Sequence, residues 1–352
     1  MTSSSTPRSA DALVRRKDEH IDHVLAGRGR GQAASGLEVV RFVHDALPEL
    51  DHDAIDLSAV FLGRRLTSPF LISSMTGGPA RAAAINARLA EAAQTLGIAL
   101  AVGSQRVALE SEADVGLGAD LRRRAPDALI LANLGAVQFV KGYGLDEARR
   151  AMEMIGADGL ILHLNPLQEA VQAEGDRDWR GVAAAIATIS AAFPGRLVVK
   201  ETGAGLSAAV VRRLADLGVA ALDVAGAGGT NWGLIEGARA AGGRAEAVVR
   251  PFGDWGVPTA RALVDAAAAA PGLPLIGSGG IRDGLDAARA IRLGARVVGQ
   301  AAGVLEAALV STEAVTEHFE ILAAQLRLAC FCTGSADLLA LAQAPLMDPL
   351  RF

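Results

Sequence analysis

The residues with the richest chemistry in this sequence are 163–169, which read HLNPLQE and directly follow the apolar run GLIL at 159–162. A buried parallel strand over that run would place them at its carboxyl end, where α/β barrels and open parallel sheets collect their active-site residues. Glu169 is the only carboxylate among them and is a candidate Mg²⁺ ligand. Asn165 and Gln168 can orient a ligand by hydrogen bonding. His163 is either part of such a site or a core histidine.

Two glycine-rich segments near the end of the chain have the composition of a phosphate site. They are GSGGIRD at 277–283 and GQAA at 299–302, each after an apolar run and before a predicted helix. Small residues let backbone N–H groups approach a phosphate, and a helix N-terminus favours the negative charge. A pair of tight turns is the alternative interpretation. The segment GAGGT at 226–230 is a weak dinucleotide fingerprint, so we interpret it as a loop approaching the same ligand.

Lys200 follows a third apolar run and is the lysine best placed for a functional charge. It could form a Schiff base in an aldolase-like enzyme or balance an electron-rich cofactor. Further cationic groups for an anionic ligand are Arg106, His163 and the N-terminal stretch with Arg16, Lys17 and His20. That stretch is equally consistent with an ordinary solvated helix start.

Eight apolar runs, each followed by polar residues, provide the framework for these groups. Glycines at positions 97, 156, 218 and 294 separate a predicted helix from the next run. We predict an α/β fold, a (β/α)₈ TIM barrel over about residues 69–330, within a single domain of residues 15–352. Residues 1–14 are expected to be disordered. Ser207 is predicted to cap a helix that packs through Val210, Val211, Leu214 and Leu217, and a doubly wound sheet is the alternative fold.

The composition excludes several classes of protein. The 352 residues carry a net charge of −5, and 51% are hydrophobic. No basic excess indicates nucleic acid or an anionic membrane as a partner. The first residues do not resemble a signal peptide, and the apolar runs are too short to span a bilayer. Cys330 and Cys332 cannot form a disulfide framework, so we expect a reduced cytoplasmic protein.

Several motifs in this order resemble those of the type 2 isopentenyl-diphosphate isomerases. They are RKDEHI at 16–21, SMTGG at 74–78, GSQR at 103–106, HLNPLQE at 163–169, KE at 200–201, AGAGGT at 225–230 and GGIR at 279–282. The match extends over about residues 15–345. Single motifs recur in many FMN-binding barrels, whereas the combination of HLNPLQE with the RKxxH stretch is specific.

The resemblance implies an enzyme that interconverts isopentenyl and dimethylallyl diphosphate with reduced FMN, NADPH or NADH as reductant, and Mg²⁺. Homotetramers or homo-octamers are implied as well. The implied FMN contacts are Met75, Thr76, Gly77, Ser104, Asn133, Lys200, Thr230, Gly280, Ile281, Arg282, Ala301 and Ala302. The implied substrate contacts are Arg16, Lys17, His20, Ser104, Gln105, Arg106, His163, Asn165, Gln168 and Trp232, with Glu169 on the metal. The implied catalytic residues are Gln168, Lys200 and His163.

Moving a double bond requires a proton to be added at one carbon and removed from another, in a site that excludes water. No side chain in these motifs is a strong acid, so we expect reduced flavin to shuttle the proton while Lys200 balances its charge. Acid–base and radical transfer remain open. An FMN oxidoreductase of the 2-hydroxy-acid oxidase kind is the main alternative, although it needs a late histidine base and no histidine lies between His163 and His318. A catalytically silent metabolite-binding barrel is a third hypothesis.

Overall fold

The computed structural model describes residues 10–74, 80–111, 116–240 and 243–347. The strands are β1 Ala59–Phe61, β2 Arg64–Leu66, β3 Phe70–Ile72, β4 Ala99–Ala101, β5 Ile130–Gly135, β6 Gly159–Leu164, β7 Leu197–Glu201, β8 Ala221–Asp223, β9 Leu275–Ser278 and β10 Val297–Gln300. Eight of them are parallel and form a closed barrel in the order β10-β3-β4-β5-β6-β7-β8-β9. This confirms the predicted TIM barrel, and the doubly wound alternative is wrong.

Helices surround the barrel and cover its mouth. They are α1 Ala10–Leu25, α2 Ala80–Leu96, α3 Arg106–Ser111, α4 Asp120–Arg124, α5 Leu145–Met154, α6 Pro166–Val171, α7 Val182–Ala192, α8 Ala208–Asp216, α9 Trp232–Arg239, α10 Arg244–Val249, α11 Thr259–Ala269, α12 Gly284–Arg292, α13 Ala302–Val310, α14 Thr312–Phe331 and α15 Leu338–Leu341. Short 3₁₀ turns lie at Leu37–Val39, His52–Ala54, Ala136–Val140 and Arg250–Phe252. None of the described helices has the length and apolar character needed to cross a bilayer.

The N-terminal boundary differs from the expectation. Residues 1–9, part of the predicted disordered extension, lie outside the described residues, but α1 already begins at Ala10. The segment 10–14 is therefore helical. The sequence does not predict a helix this early because its amphipathic pattern becomes clear only where Ile21 is buried.

The helix-ending glycines behave as predicted. Gly97, Gly156, Gly218 and Gly294 all have positive φ, between 60° and 113°, directly after a helix. Only glycine adopts this conformation without steric cost, which lets the chain reverse into the next strand. Ser207 caps α8 by accepting a hydrogen bond from the N–H of Val210.

The predicted packing face of α8 is partly wrong. Val211 and Leu214 are buried, but the side chain of Val210 is exposed. Val210 directly precedes Val211, so it lies about 100° further around the helix and leaves the buried stripe.

The barrel interior changes character from one end to the other. At the lower end, aliphatic side chains from the strands pack with Phe61 and Leu66 of the antiparallel β1–β2 hairpin, which closes that end. Alternate residues of a strand share a face, so the next inward positions lie two residues further along each strand. These positions form what we call the upper layer: Ser73, Gly103, Asn133, His163, Lys200, Asp223, Ser278 and Gly299. A layer with polar side chains therefore lies above a layer of apolar side chains.

Candidate active site

A cavity of about 670 Å³ opens above the upper layer at the carboxyl ends of the strands. Its volume is typical of a cofactor and small-substrate site. Among the described residues, it is lined by nearly all the predicted contacts: Arg16, Lys17, His20, Ser104, Arg106, Asn133, His163, Asn165, Gln168, Glu169, Lys200, Thr230, Trp232, Gly280, Ile281, Arg282, Ala301 and Ala302. Met75, Thr76 and Gly77 lie outside the described residues.

Gln105 is the exception. Its side chain is fully buried and does not line the cavity. Its amide N–H donates to the carbonyl of Ala151 at 2.8 Å, and its carbonyl accepts from the N–H of Asn133 at 3.0 Å. The prediction that Gln105 contacts substrate is wrong in this structure, because both amide groups hold the barrel wall together. Its neighbours Ser104 and Arg106 face the cavity.

The HLNPLQE segment is a strand end and a helix start. His163 and Leu164 end β6, Asn165 occupies the N-cap position of α6, and Pro166 begins the helix, where its missing N–H costs nothing. The first helical turn thereby directs Gln168 and Glu169 toward the mouth. These side chains therefore lie on regular structure at the carboxyl end of the strand.

Hydrogen bonds fix the polar side chains of this turn. The amide of Asn165 donates to Gln168 Oε1 at 3.1 Å and to Glu169 Oε1 at 3.0 Å. Glu169 Oε2 accepts from the N–H of Asp176 at 2.6 Å. The buried Asn165 Oδ1 atom has no hydrogen-bond partner within the described part of the chain. The turn therefore presents one carboxylate and one unsatisfied amide oxygen, both of which are oxygen ligands suited to Mg²⁺.

His163 is neutral in this environment. Burial, together with the charges of Lys200 and Lys17, lowers the pKa of His163 to about 3. Its Nδ1 atom lies 2.8 Å from Asn133 Oδ1. The neutral form is favoured in the free protein because the cationic form is costly to bury, and the expected role of His163 as a cation toward an anion stays a prediction. His163 can still act as a hydrogen-bonding group.

The N-terminal helix α1 lies along the cavity, which Arg16, Lys17 and His20 line, so this stretch is more than a solvated helix start. Lys17 is buried and donates to the carbonyl of Ser104 at 2.8 Å. Burial, and secondarily the neighbouring Arg16, lowers the pKa of Lys17 to about 7. The following loop is fastened to the β8 side, since Asn231 N–H donates to the Gly29 carbonyl at 2.8 Å.

Glu236 on α9 is a buried carboxylate that the sequence does not mark as a site residue. It accepts hydrogen bonds from His20 Nε2 and Gln168 Nε2, both at 2.9 Å, and pairs with Arg239. Although burial opposes ionisation, these donors and the Arg239 charge lower the pKa of Glu236 to about 2. Burial lowers the pKa of His20, while the hydrogen bond and the charge of Glu236 act to raise it. Because an ionised carboxylate can only accept, His20 Nε2–H is the donor. The edge of His20 also contacts Trp232, with ring centroids 5.1 Å apart.

Two carboxylates hold the side chain of Arg106, the first residue of α3. Its Nε donates to Glu110 at 2.8 Å, and its Nη1 lies 3.5 Å from Asp176 Oδ2. The backbone N–H of Asp176 also donates to Glu169, so Arg106 and the candidate metal ligand belong to one hydrogen-bond network. The Arg106 charge is therefore placed next to the carboxylate that could hold a metal.

The predicted phosphate loops face the cavity from β8, β9 and β10, and their glycines are required for a reason that the sequence does not show. A Cβ on Gly280, at φ +71°, would lie 2.5 Å from the carbonyl oxygen of Gly228. One on Gly229 would lie 2.7 Å from the Gly280 nitrogen. Side chains are thus excluded because the two loops touch each other. The N-terminus of α13 adjoins them and lacks a side-chain cap at Ala301, so its first N–H groups can meet an anion.

The likeness to known proteins agrees with this geometry. A family model described as FMN-dependent dehydrogenase matches residues 145–347. The isopentenyl-diphosphate delta-isomerase of Xanthobacter autotrophicus is 66% identical over 94% of this chain and 97% of its own length. The protein of the same name from Stutzerimonas stutzeri is 62% identical over 97% and 99%, and that of Synechocystis 47% identical over 96% and 97%.

Solved structures share the fold at much lower identity. A lactate oxidase from Pediococcus acidilactici superimposes with a TM-score of 0.68 at 17% identity, covering 99% of this chain and 97% of its own. A mandelate oxidase gives 0.67 at 18% identity, covering 97% and 99%. These oxidases are distant structural relatives, and their likeness shows the barrel alone. The oxidase alternative needs a late histidine base. His318, on α14, bonds to Gln300 instead of lining the cavity. The chain belongs to the isopentenyl-diphosphate delta-isomerases, within the FMN-dependent dehydrogenase family of barrels.

Proposed function

We propose that this protein interconverts isopentenyl diphosphate and dimethylallyl diphosphate, using bound FMN. The observation that carries the proposal is the division of one cavity into two chemically different sides. Glycine loops and a helix N-terminus form one side, and buried cationic and amide side chains form the other. Such a cavity suits two anionic groups, one on the cofactor and one on the substrate.

The residues on the glycine side fit FMN. The uncapped α13 N-terminus at Ala301 and Ala302, the loop of Gly280, Ile281 and Arg282, and Thr230 would hold its phosphate and chain. Ser104, Asn133 and Lys200 would hold its ring, as would Met75, Thr76 and Gly77. Bound FMN, reduced by NADPH or NADH, would supply the group that carries a proton between the two carbons.

The opposite side would hold the diphosphate. Arg16, Lys17 and Arg106 supply charge, while His163 and Asn165 offer hydrogen bonds without a net charge. In the described part of the chain, no three His, Cys, Asp or Glu side chains are grouped to bind a metal by themselves. Glu169 with Asn165 Oδ1 still fits Mg²⁺, which commonly uses one or two carboxylates plus substrate phosphates. A metal there would neutralise the diphosphate and discourage its departure.

The remaining side chains would position the hydrocarbon and exclude water. Trp232 would form an apolar wall, and its contact with His20 closes the mouth beside it. Gln168 would lie near the reacting carbons, held by Glu236 at 2.9 Å. Lys200 is buried at the cavity floor, where its positive charge would stabilise negative charge on the flavin ring. Water must be excluded because it would otherwise react with a cationic alkene species.

Three further properties belong to the same proposal. The protein would act in the cytoplasm, its oligomer would be a homotetramer or homo-octamer, and its partners would be small molecules without nucleic acid or membrane. Light scattering of the purified protein tests the oligomer, and a monomer at working concentration would contradict it.

The decisive experiment is to purify the protein, record its visible spectrum and assay it anaerobically with isopentenyl diphosphate, Mg²⁺ and NADPH. We expect a flavin spectrum and formation of dimethylallyl diphosphate without net consumption of NADPH. A protein unable to bind FMN would overturn the cofactor assignment. A flavoprotein that oxidises lactate or mandelate and does not isomerise the diphosphate would overturn the substrate assignment.

A further inference from the structure

Asp223 is a buried carboxyl group in the upper layer, and the proposed reaction assigns it no role. Its side chain is fully buried at the end of β8. Oδ1 accepts hydrogen bonds from Ser278 Oγ at 2.6 Å and from the N–H of Ala225 at 3.2 Å. Oδ2 is buried and has no hydrogen-bond partner within the described ranges. Such an atom is costly to bury, whether it carries a proton or a negative charge.

Lys200 lies on the neighbouring strand and its charge acts on Asp223, although the described residues show no direct hydrogen bond or ion pair between the two side chains. The register of β7 and β8 pairs Lys200 with Asp223, and both residues lie at inward positions. The Lys200 ammonium has three N–H donors, and one of them is used by the carbonyl of Glu201 at 2.6 Å. Burial raises the pKa of Asp223, while the charge of Lys200 and the hydrogen bond from Ser278 act against that rise.

We propose that Asp223 is an ionised carboxylate on the strand next to Lys200, where its negative charge offsets part of the Lys200 charge and so sets how much positive charge the flavin ring meets. This inference rests on the proposed contact between Lys200 and FMN. A negative charge on Asp223 would thus offset part of the field that the Lys200 ammonium exerts on the ring.

The test is the reduction potential of bound FMN in Asp223→Asn, measured without substrate. Asparagine keeps an Oδ1 acceptor for Ser278 and Ala225 but removes the charge. Because a negative charge near the ring disfavours reduction, we expect the variant to favour reduced FMN by about tenfold, a rise of about 30 mV for a two-electron couple. In a Lys200→Met background the same substitution should have no effect, since Asp223 would then take up a proton.

Asp158→Asn is the control. Asp158 precedes β6 at the lower end of the barrel, where it pairs with Arg122 and accepts from the N–H of Ile130 at 2.9 Å. It resembles Asp223 as a carboxylate bonded to the backbone, but it lies at the other end of the barrel, so the potential should stay at the wild-type value. An unchanged potential in Asp223→Asn would mean that the carboxyl is protonated and merely structural, which overturns the proposal.

If Asp223→Asn cannot retain FMN, urea unfolding of the apoprotein decides the question through a double-mutant cycle with Lys200→Met. If the two charges interact, the unfolding equilibrium constant of the double variant should be at least tenfold smaller than the value calculated by adding the free-energy effects of the two single substitutions. Additive effects would overturn the proposal. None of these measurements uses the isomerase reaction, so a shifted potential in a protein that does not isomerise would leave this inference standing while the proposed function fell.

Discussion

The two sides of the cavity solve the problem of holding an anion differently. We call them the glycine wall, with Gly228, Gly229, Gly279 and Gly280, and the side-chain wall, with Arg16, Lys17, His20, Arg106, Asn165, Gln168, Glu169 and Glu236. The glycine wall is backbone whose loops pack directly on each other. The side-chain wall consists of long polar groups from distant elements that hold one another by hydrogen bonds. The first should therefore fail in cofactor binding, and the second in substrate handling.

The largest effect is expected on the glycine wall. In Gly280→Ala the new methyl group would collide with the carbonyl of Gly228, so the loops must separate. We expect the FMN dissociation constant to rise at least about 100-fold, with activity lost at ordinary FMN concentrations, as measured by a fluorescence titration. A loss of about 2.7 kcal/mol corresponds to that factor.

Gly272→Ala is the matched control. Gly272 has a similar positive φ of 83°, yet no other heavy atom lies within 4 Å of the place that an alanine methyl group would occupy. The substitution should cost about 1 kcal/mol of stability and leave FMN binding unchanged. Equal FMN loss in both variants would show that backbone strain, and not loop packing, accounts for the glycine wall.

On the side-chain wall, Glu169→Gln should raise the Mg²⁺ concentration for half-maximal activity by about 10- to 100-fold. The amide removes the charge but keeps the size, so FMN should remain bound with its spectrum unchanged. A titration of activity with MgCl₂ measures the effect. The same metal dependence in variant and wild type would remove Glu169 from the metal site.

Glu236→Gln tests whether the side-chain wall depends on one shared acceptor. The variant loses the negative charge that His20 and Gln168 bond to, so both side chains should become poorly placed. We expect kcat to fall about tenfold or more with FMN affinity intact. Glu246→Gln, on the neighbouring helix α10, should leave kcat at the wild-type value. A wild-type kcat in Glu236→Gln would show that the hydrogen bonds of Glu236 contribute to stability and not to catalysis.

The smallest effect concerns the protonation of Lys17. Its pKa of about 7 in the free protein means that the charged form is lost as pH rises through neutrality. Arginine keeps its charge at every working pH. The ratio of kcat/KM for the wild type to that for Lys17→Arg should therefore fall by about tenfold between pH 6 and pH 9. The ratio cancels ionisation of the diphosphate itself. A constant ratio would show that Lys17 stays charged.

The sequence predicts the glycine wall and the barrel well because their signals are local. Paired glycines after an apolar run predict that backbone N–H groups can approach a ligand, although not that the two loops touch each other, and the eight runs repeat with one cadence. The side-chain wall is predicted only where polar residues follow a strand. Glu236 looks like any acidic residue of a surface helix, and it is buried where α1 and α6 pack against α9.

Two other features show the limits of a local pattern. Gln105 lies between two cavity residues, yet its amide turns into the barrel wall to bond Asn133 and Ala151. The β1–β2 hairpin has strands of only three residues each, too short for alternation to be recognised. The Gln105 contacts join segments 28 and 46 residues apart in sequence, whereas the hairpin is hidden by the shortness of its strands.

The attachment of α1 to the barrel mouth also has a consequence for how the molecule is made. His20 and Glu236 are 216 residues apart in sequence, and the loop after α1 bonds to the backbone beside Asn231. During synthesis the first helix must wait until the β8 loop and α9 have emerged before it can dock. Contacts of such long range close late in folding. A nascent chain from which α9 has not yet emerged would therefore carry α1 undocked and a barrel still open, because β10, which closes the barrel on β3, comes later still in the sequence.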